Sequence, residues 1–147
     1  MTSKKSSISI YNRGEFEALP PEALNNKAII RIHNYTDKDW YDSKYPNGIE
    51  LFFEDVDTLS FIEKMKAQYF EKNMTCFTKT QALELLSFIK KNKGKDFIIH
   101  CQYGKSRSVS VGLFIEKNFK GSIINREPQE LKTPNQWVLE LLNKLNN

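Results

Sequence analysis

A chain of 147 residues with 39% hydrophobic content is the size of one domain and can bury one ordinary core. Its two cysteines, Cys76 and Cys101, are too few for a disulfide scaffold, and no Cys or His pair has zinc-ligand spacing. The formal charge of +4 is modest and the lysines are scattered, which predicts a solvated, mildly anion-attracting surface rather than a nucleic-acid-binding patch.

In chain order, "MTSKKSS" (residues 1–7) reads as a flexible lead. With "ISIY" after it there is neither the apolar centre nor the cleavage site of a secretion signal, so a cytoplasmic protein is expected. No later stretch approaches the ~20 apolar residues that cross a bilayer. "ISIYN" is a short β-like run, and "EFEALP" is a helix stopped by Pro20 and Pro21. "KAIIRIHN" is a buried-type strand, "YTDKDWYDSKYPNGI" is turn-rich, and "IELFF" is the next strand.

Three segments then carry helix-start chemistry. Ser60 and Glu63 have capping-box spacing, with Phe61, Ile62, Met65 and Tyr69 on one face; a surface helix packed by Phe61, Met65 and Tyr69 is expected. Thr78 and Gln81 repeat the box, Phe77 staples onto Ala82, and Leu85, Leu86 and Ile89 extend the stripe to a cap near Gly94. "DFIIH" is a buried strand, and "SRSVSVGLFIEKNFKG" is a helix ended at Gly121. The last helix is "TPNQWVLELLNKL", with Thr133 as N-cap, Pro134 at the first helical position and Gln136 closing a third box. Strands alternating with helices predict an α/β fold, a central, mostly parallel sheet flanked by helices. Ligands in such sheets bind beyond the carboxyl ends of the strands, where "HCQYGKSRS" (100–108) falls.

That segment places one thiol and one guanidinium around a strand-to-helix turn. The first N–H groups of a helix are unpaired and positively polarised, and Gly104 permits a tight curl. A ring of inward amides from Gln102, Tyr103, Gly104, Lys105, Ser106 and Arg107 suits a phosphate-like dianion, and the Arg107 fork suits two of its oxygens. Cys101 at the floor of that bowl sits where a thiolate is favoured over a thiol. Ser108 is placed to donate its hydroxyl to the sulfur, and His100 to fix the loop from behind. A buried cysteine after a strand is common, but a Gly three on, an Arg six on and a Ser seven on is not.

"HCQYGKSRS" resembles the signature of the cysteine-dependent protein tyrosine phosphatase superfamily: His-Cys, five residues, Arg, then Ser or Thr. Chain length and loop position resemble its compact dual-specificity branch, and "LKTPNQWVLELL" is similar to the "PN…L" segment that opens the last helix there, at Pro134, Asn135 and Leu142. The resemblance spans most of the chain from about Lys27 onward. It implies a tyrosine-phosphatase-like fold and a general acid from the loop after the strand preceding the signature strand. That loop offers Asp55 and Asp57. Asp55 continues the phase of Leu51 and Phe53, and the resemblance favours it; Asp57 stays in phase farther out. The spacing from Asp55 to Cys101 is longer than usual for compact members, and the surplus lies in residues 58–77. This surplus reads either as a packed surface helix, the expectation stated above, or as a lid over the site. Cys76 within it reads as a buried small hydrophobe, with a redox partnership with Cys101 as the alternative.

The expectation is therefore one domain hydrolysing phosphate monoesters through a phosphocysteine, with Cys101, Arg107, Asp55 and Ser108 catalytic and no metal or cofactor. A phosphorylated protein, phosphotyrosine first and phosphoserine or phosphothreonine next, is the expected partner. A phosphoinositide, an RNA 5′-phosphate, or a phosphate reader without turnover are the alternatives; stable nucleic-acid binding is not expected.

Overall fold

The computed structural model describes residues 5–37 and 45–146. Five strands, β1 (Ser6–Asn12), β2 (Lys27–His33), β3 (Gly48–Phe52), β4 (Asp96–Cys101) and β5 (Gly121–Ile123), form one sheet in the order β3-β2-β4-β1-β5. Every pairing is parallel. Parallel neighbours need crossover connections, and these place helices on the sheet faces. They are α1 (Arg13–Glu17), α2 (Phe61–Tyr69), α3 (Lys79–Lys91), α4 (Arg107–Asn118) and α5 (Gln136–Leu145).

The two faces are unequal. Alternation along β1, β2 and β4 sends Ile8, Ile10, Ala28, Ile30, Ile32, Phe97, Ile99 and Cys101 to one side, where α3, α4 and α5, with Leu51, Phe53 and Phe77, supply most of the rest of the main core. α4 is the central helix of that side, buried over Arg107–Gly112 and again at Phe114 and Ile115. The opposite face holds a small cluster of Phe16, Ile29 and Ile98, covered by Tyr11, Leu19, Leu24 and Tyr45.

The helix starts follow local chemistry. Asn12, Ser60 and Thr78 each close a capping box, with Glu15, Glu63 and Gln81 respectively. The end of α3 differs slightly from expectation: Asn92 is its C-cap, and Gly94, at φ +90°, turns the chain just beyond it.

The structure departs from the sequence expectation at several points. Ser6 and Ser7, expected in a flexible lead, are strand residues paired with Gly121 and Ser122; residues 1–4 lie outside the described residues. The turn-rich reading of residues 35–49 is met by a 3-10 turn at Tyr35–Asp37, while 38–44 also lie outside. Gly121 does not cap α4. Lys120 takes the left-handed conformation at φ 54°, and Gly121 opens β5, where a Cβ would come within 2.5 Å of Ile8 Cδ1. Thr133 does not cap α5; Asn135 does, accepting the Val138 N–H at 3.0 Å. The expected packing of α2 through Phe61, Met65 and Tyr69 is also overturned. All three face solvent, with Phe61 78% exposed, and Ala67 is the helix's buried residue. α2 is held instead by polar ties to α5, from Lys64 to Glu140 and from Lys144 to Gln68.

Trp137 locks α5 to the chain ahead of α3. Its ring is 1% exposed, and Nε1–H donates to the Phe77 carbonyl at 2.7 Å. Trp137→Phe keeps most of the apolar contact but strands that buried carbonyl. A loss of about 1–3 kcal/mol is expected, read as a lower urea midpoint at unchanged slope.

Candidate active site

β4 ends at Cys101, and α4 begins six residues later. The connection is tight because Gly104, at φ +69°, lies flat on the end of β1. A Cβ there would stand 2.8 Å from Asn12 N and 2.9 Å from Tyr11 C, so both the conformation and the space demand glycine. The curl brings Gly104 N–H to the Cys101 sulfur at 3.2 Å. Ser108, one residue into α4, sets its Oγ 3.0 Å from the same sulfur. The thiol is 2% exposed and thus meets a backbone donor and a hydroxyl at the mouth of a helix. The amides of Tyr103, Lys105 and Ser106 have no acceptor among the described residues. Ser106 stands at the N-cap of α4 without capping it.

Arg107 is 3% exposed, and its charge is answered by oxygen atoms at the carboxyl ends of neighbouring strands. Nη1 donates to the Phe53 carbonyl at 2.6 Å and to the His33 carbonyl at 3.4 Å, and Nη2 donates to Asn34 Oδ1 at 3.0 Å. Nε–H and a second Nη2–H remain without a partner among the described residues, and these donors can share one edge of the fork.

The two candidate carboxylates part company. Asp55 reaches the loop: its Oδ1 accepts from Ser106 Oγ at 2.8 Å and from Asn135 Nδ2 at 2.8 Å. Asp57 accepts from Thr58 Oγ1 at 3.3 Å and meets no residue of the loop. Asn135 is the residue sequence reasoning missed. Wholly buried, it caps α5, holds Asp55 and the Val56 carbonyl through Nδ2, and sends its own N–H to the Ser106 carbonyl. The "PN" motif marked its position without showing its partners. Asn34 and the Phe53 carbonyl were missed too; a backbone acceptor leaves no trace in side-chain pattern.

His100 lies on the thin face of the sheet, behind the loop, as expected. Its ring stacks on Phe16 at 4.3 Å and accepts from Arg31 Nε at 3.1 Å, so the proton of the neutral ring belongs on Nδ1. Arg31 and His33 both engage Glu50 Oε1, at 3.4 Å and 2.7 Å. Burial, then the charges of Arg31 and His33, push the His100 pKa down to about 3. Cys76 and Cys101 are both free thiols, and burial pushes the Cys76 thiol pKa up, as suits a small core residue. Gln102 is half-buried beside Cys101, whereas Tyr103 and Lys105 face outward. The latter two border a cleft of about 490 Å³ whose other charges are Glu15, Arg126 and Glu130. Arg126 is already paired with Glu15 at 2.6 Å.

No protein-family model, curated protein or solved structure matches the chain. Among the described residues, no helix is long and apolar enough to cross a membrane.

The His100 environment predicts a pH effect. The unfolded ring binds a proton near pH 6.5 and the folded ring near 3, so the stability due to neutral His100 is present above about 6.5 and is lost as pH falls toward 3. His100→Gln retains an acceptor for Arg31 but does not titrate. Over that window the variant should lose less stability on acidification than the parent, measured by urea unfolding at stepped pH; equal slopes would assign the acid sensitivity to other groups.

Proposed function

We propose that the chain is a phosphatase that hydrolyses phosphate monoesters through a phosphocysteine intermediate, with phosphotyrosine in proteins as first substrate. The observation that carries this reading is the convergence of Cys101, Ser108, Arg107 and Asp55 on one strand-to-helix loop whose Tyr103, Lys105 and Ser106 amides have no acceptor among the described residues. In this reading the amides from Gln102 to Arg107 and the open edge of the Arg107 fork hold the phosphoryl oxygens. Cys101 Sγ attacks phosphorus in line, and the ester P–O bond breaks as a P–S bond forms. Asp55 gives its proton to the leaving oxygen, then as carboxylate takes one from the water that displaces the sulfur. Ser108 Oγ–H donates to the departing thiolate.

The loop resembles the tyrosine phosphatase signature at each defining position, and the α/β fold accommodates it. A phosphate reader without turnover would need neither a thiol under the loop nor a carboxylate on its rim; both stand in place. The cleft beside Lys105 mixes both signs of charge, which argues for a peptide flank rather than a second phosphate of an inositol lipid.

Two experiments test the reading. Cys101→Ser should abolish hydrolysis of a small aryl phosphate while phosphotyrosine peptide still binds, because the amides and Arg107 remain. Substantial residual turnover in that variant would rule out the phosphocysteine.

Asp55→Asn should lower kcat by ~10²-fold or more for esters with poor leaving groups, with little change in KM and a smaller loss for an activated aryl ester. The basic limb of the pH–rate profile should flatten. Asp57→Asn should do none of this, and the reverse pattern would move the acid to Asp57.

A further inference from the structure

α2 turns its apolar face away from the protein. Phe61, Ile62, Tyr69 and Phe70 are 78%, 65%, 58% and 73% exposed, and Met65 is 37% exposed. Positions 61, 62, 65 and 69 share one face of the helix, and Phe70 continues it past the C-terminus. Scattered exposed apolar residues are ordinary; five large ones within ten positions form a contiguous patch that calls for a partner.

The charges around the patch are sorted by sign. The nearby acids hydrogen-bond within the chain, although Glu63 stays exposed on the same helix as Lys66. Glu63 Oε1 accepts the Ser60 N–H at 3.0 Å in the capping box, and Glu71 accepts the Thr80 N–H and hydroxyl at 2.6 Å each. Lys66 and Lys72 make no ion pair among the described residues, and both border the shallow hollow of about 380 Å³ formed by Phe61, Ile62, Met65 and Phe70. Lys79 lies over the Tyr69 ring at 5.7 Å. The hollow itself is lined by aromatic and aliphatic side chains with Lys66 and Lys72 and by no carboxylate; Glu63 and Glu71 stand outside it.

Its shape narrows the occupant. Every residue lining the hollow comes from one stretch, 61–73, so no second element provides the facing wall of a groove that grips a helix or an extended peptide. Apolar side chains standing off a helix, with lysines beside them, complement an interface that is itself apolar below and anionic above.

We propose that the α2 face docks the protein on an anionic lipid bilayer, with Phe61, Ile62 and Phe70 entering the acyl boundary and Lys66 and Lys72 meeting the headgroups. The proposal is independent of the phosphatase reading, because no residue of the Cys101 loop takes part. A nine-residue helix offers little apolar area, so the binding is reversible and salt-sensitive.

The test is cosedimentation of the full chain with phosphatidylcholine vesicles, alone or with about one-third phosphatidylserine. The expected result is binding at least ~10-fold stronger to the phosphatidylserine vesicles and weakened by salt. The double variant Phe61→Ser/Phe70→Ser, altered only at exposed positions, should lose it. Lys66→Glu/Lys72→Glu should abolish the preference for phosphatidylserine. Failure of the wild type to bind either vesicle overturns the proposal, as does binding that survives the phenylalanine variant. Self-association of the wild type that disappears in the phenylalanine variant, without vesicle binding, would assign the face to a second copy of the chain instead.

Discussion

A guanidinium withdrawn from water must find acceptors for its protons, and in this fold that requirement falls on the ends of the sheet. Arg107 opens α4, yet three of its donors are met by Phe53 and His33 carbonyls and by Asn34, all at the carboxyl ends of β2 and β3. Strand carbonyls that outrun their ladder partners would otherwise need water. The cation and the strand ends answer one another, and the helix is thereby pinned to the two strands that lie beside β4 on one side, β2 and then β3. Ser106, the residue before, is carried along; Asn135 then joins Ser106, Asp55 and the first turn of α5. One buried charge thus sets the mutual placement of four segments distant in sequence.

The thin face of the sheet carries a second polar cluster, with different consequences. Arg31, Glu50, His33 and His100 lie on three adjacent strands under the aromatic cover of Phe16 and Tyr45. Buried ion pairs rarely repay the full cost of leaving water, so this group is better viewed as specifying than as stabilising. A one-residue slip of β2 against β4 would send Arg31 into the main core and separate it from His100. The tautomer of His100, which immediately precedes the cysteine, therefore depends on strand register.

Much of this organisation is legible in the sequence because it rests on local chemistry. The boxes at Ser60–Glu63 and Thr78–Gln81 form as their spacing predicts, since both partners lie within one turn. The phase of "IELFF" carried Asp55 toward the loop. At the last helix the same logic failed. Thr133 and Asn135 are both suitable caps, and the choice is made by distant partners: the Thr133 hydroxyl goes to the Lys105 carbonyl while Asn135 holds Asp55. β5 is too short for a periodic signal and exists because Gly121 can lie against Ile8. The apolar face of α2 follows helical spacing, but spacing cannot say whether a face meets a neighbour or solvent. Arg107 was legible as a cation for the loop; its carbonyl acceptors were not, because every residue has one.

The strand order also bears on how the chain is made. β1 leaves a ribosome before the other four strands, yet it belongs between β4 and β5, with Ser7 bonded to Asp96, 89 residues later. β2 and β3 can pair soon after synthesis, but β1 has no partner until β4 (Asp96–Cys101) has emerged. Its Ile8 and Ile10 must stay in contact with solvent or a chaperone during that interval. Such long-range closure makes folding slow relative to helical domains of equal length. It also makes a nascent chain stalled before residue 96 a molecule whose hydrophobic β1 is unpaired and open to pairing with another copy.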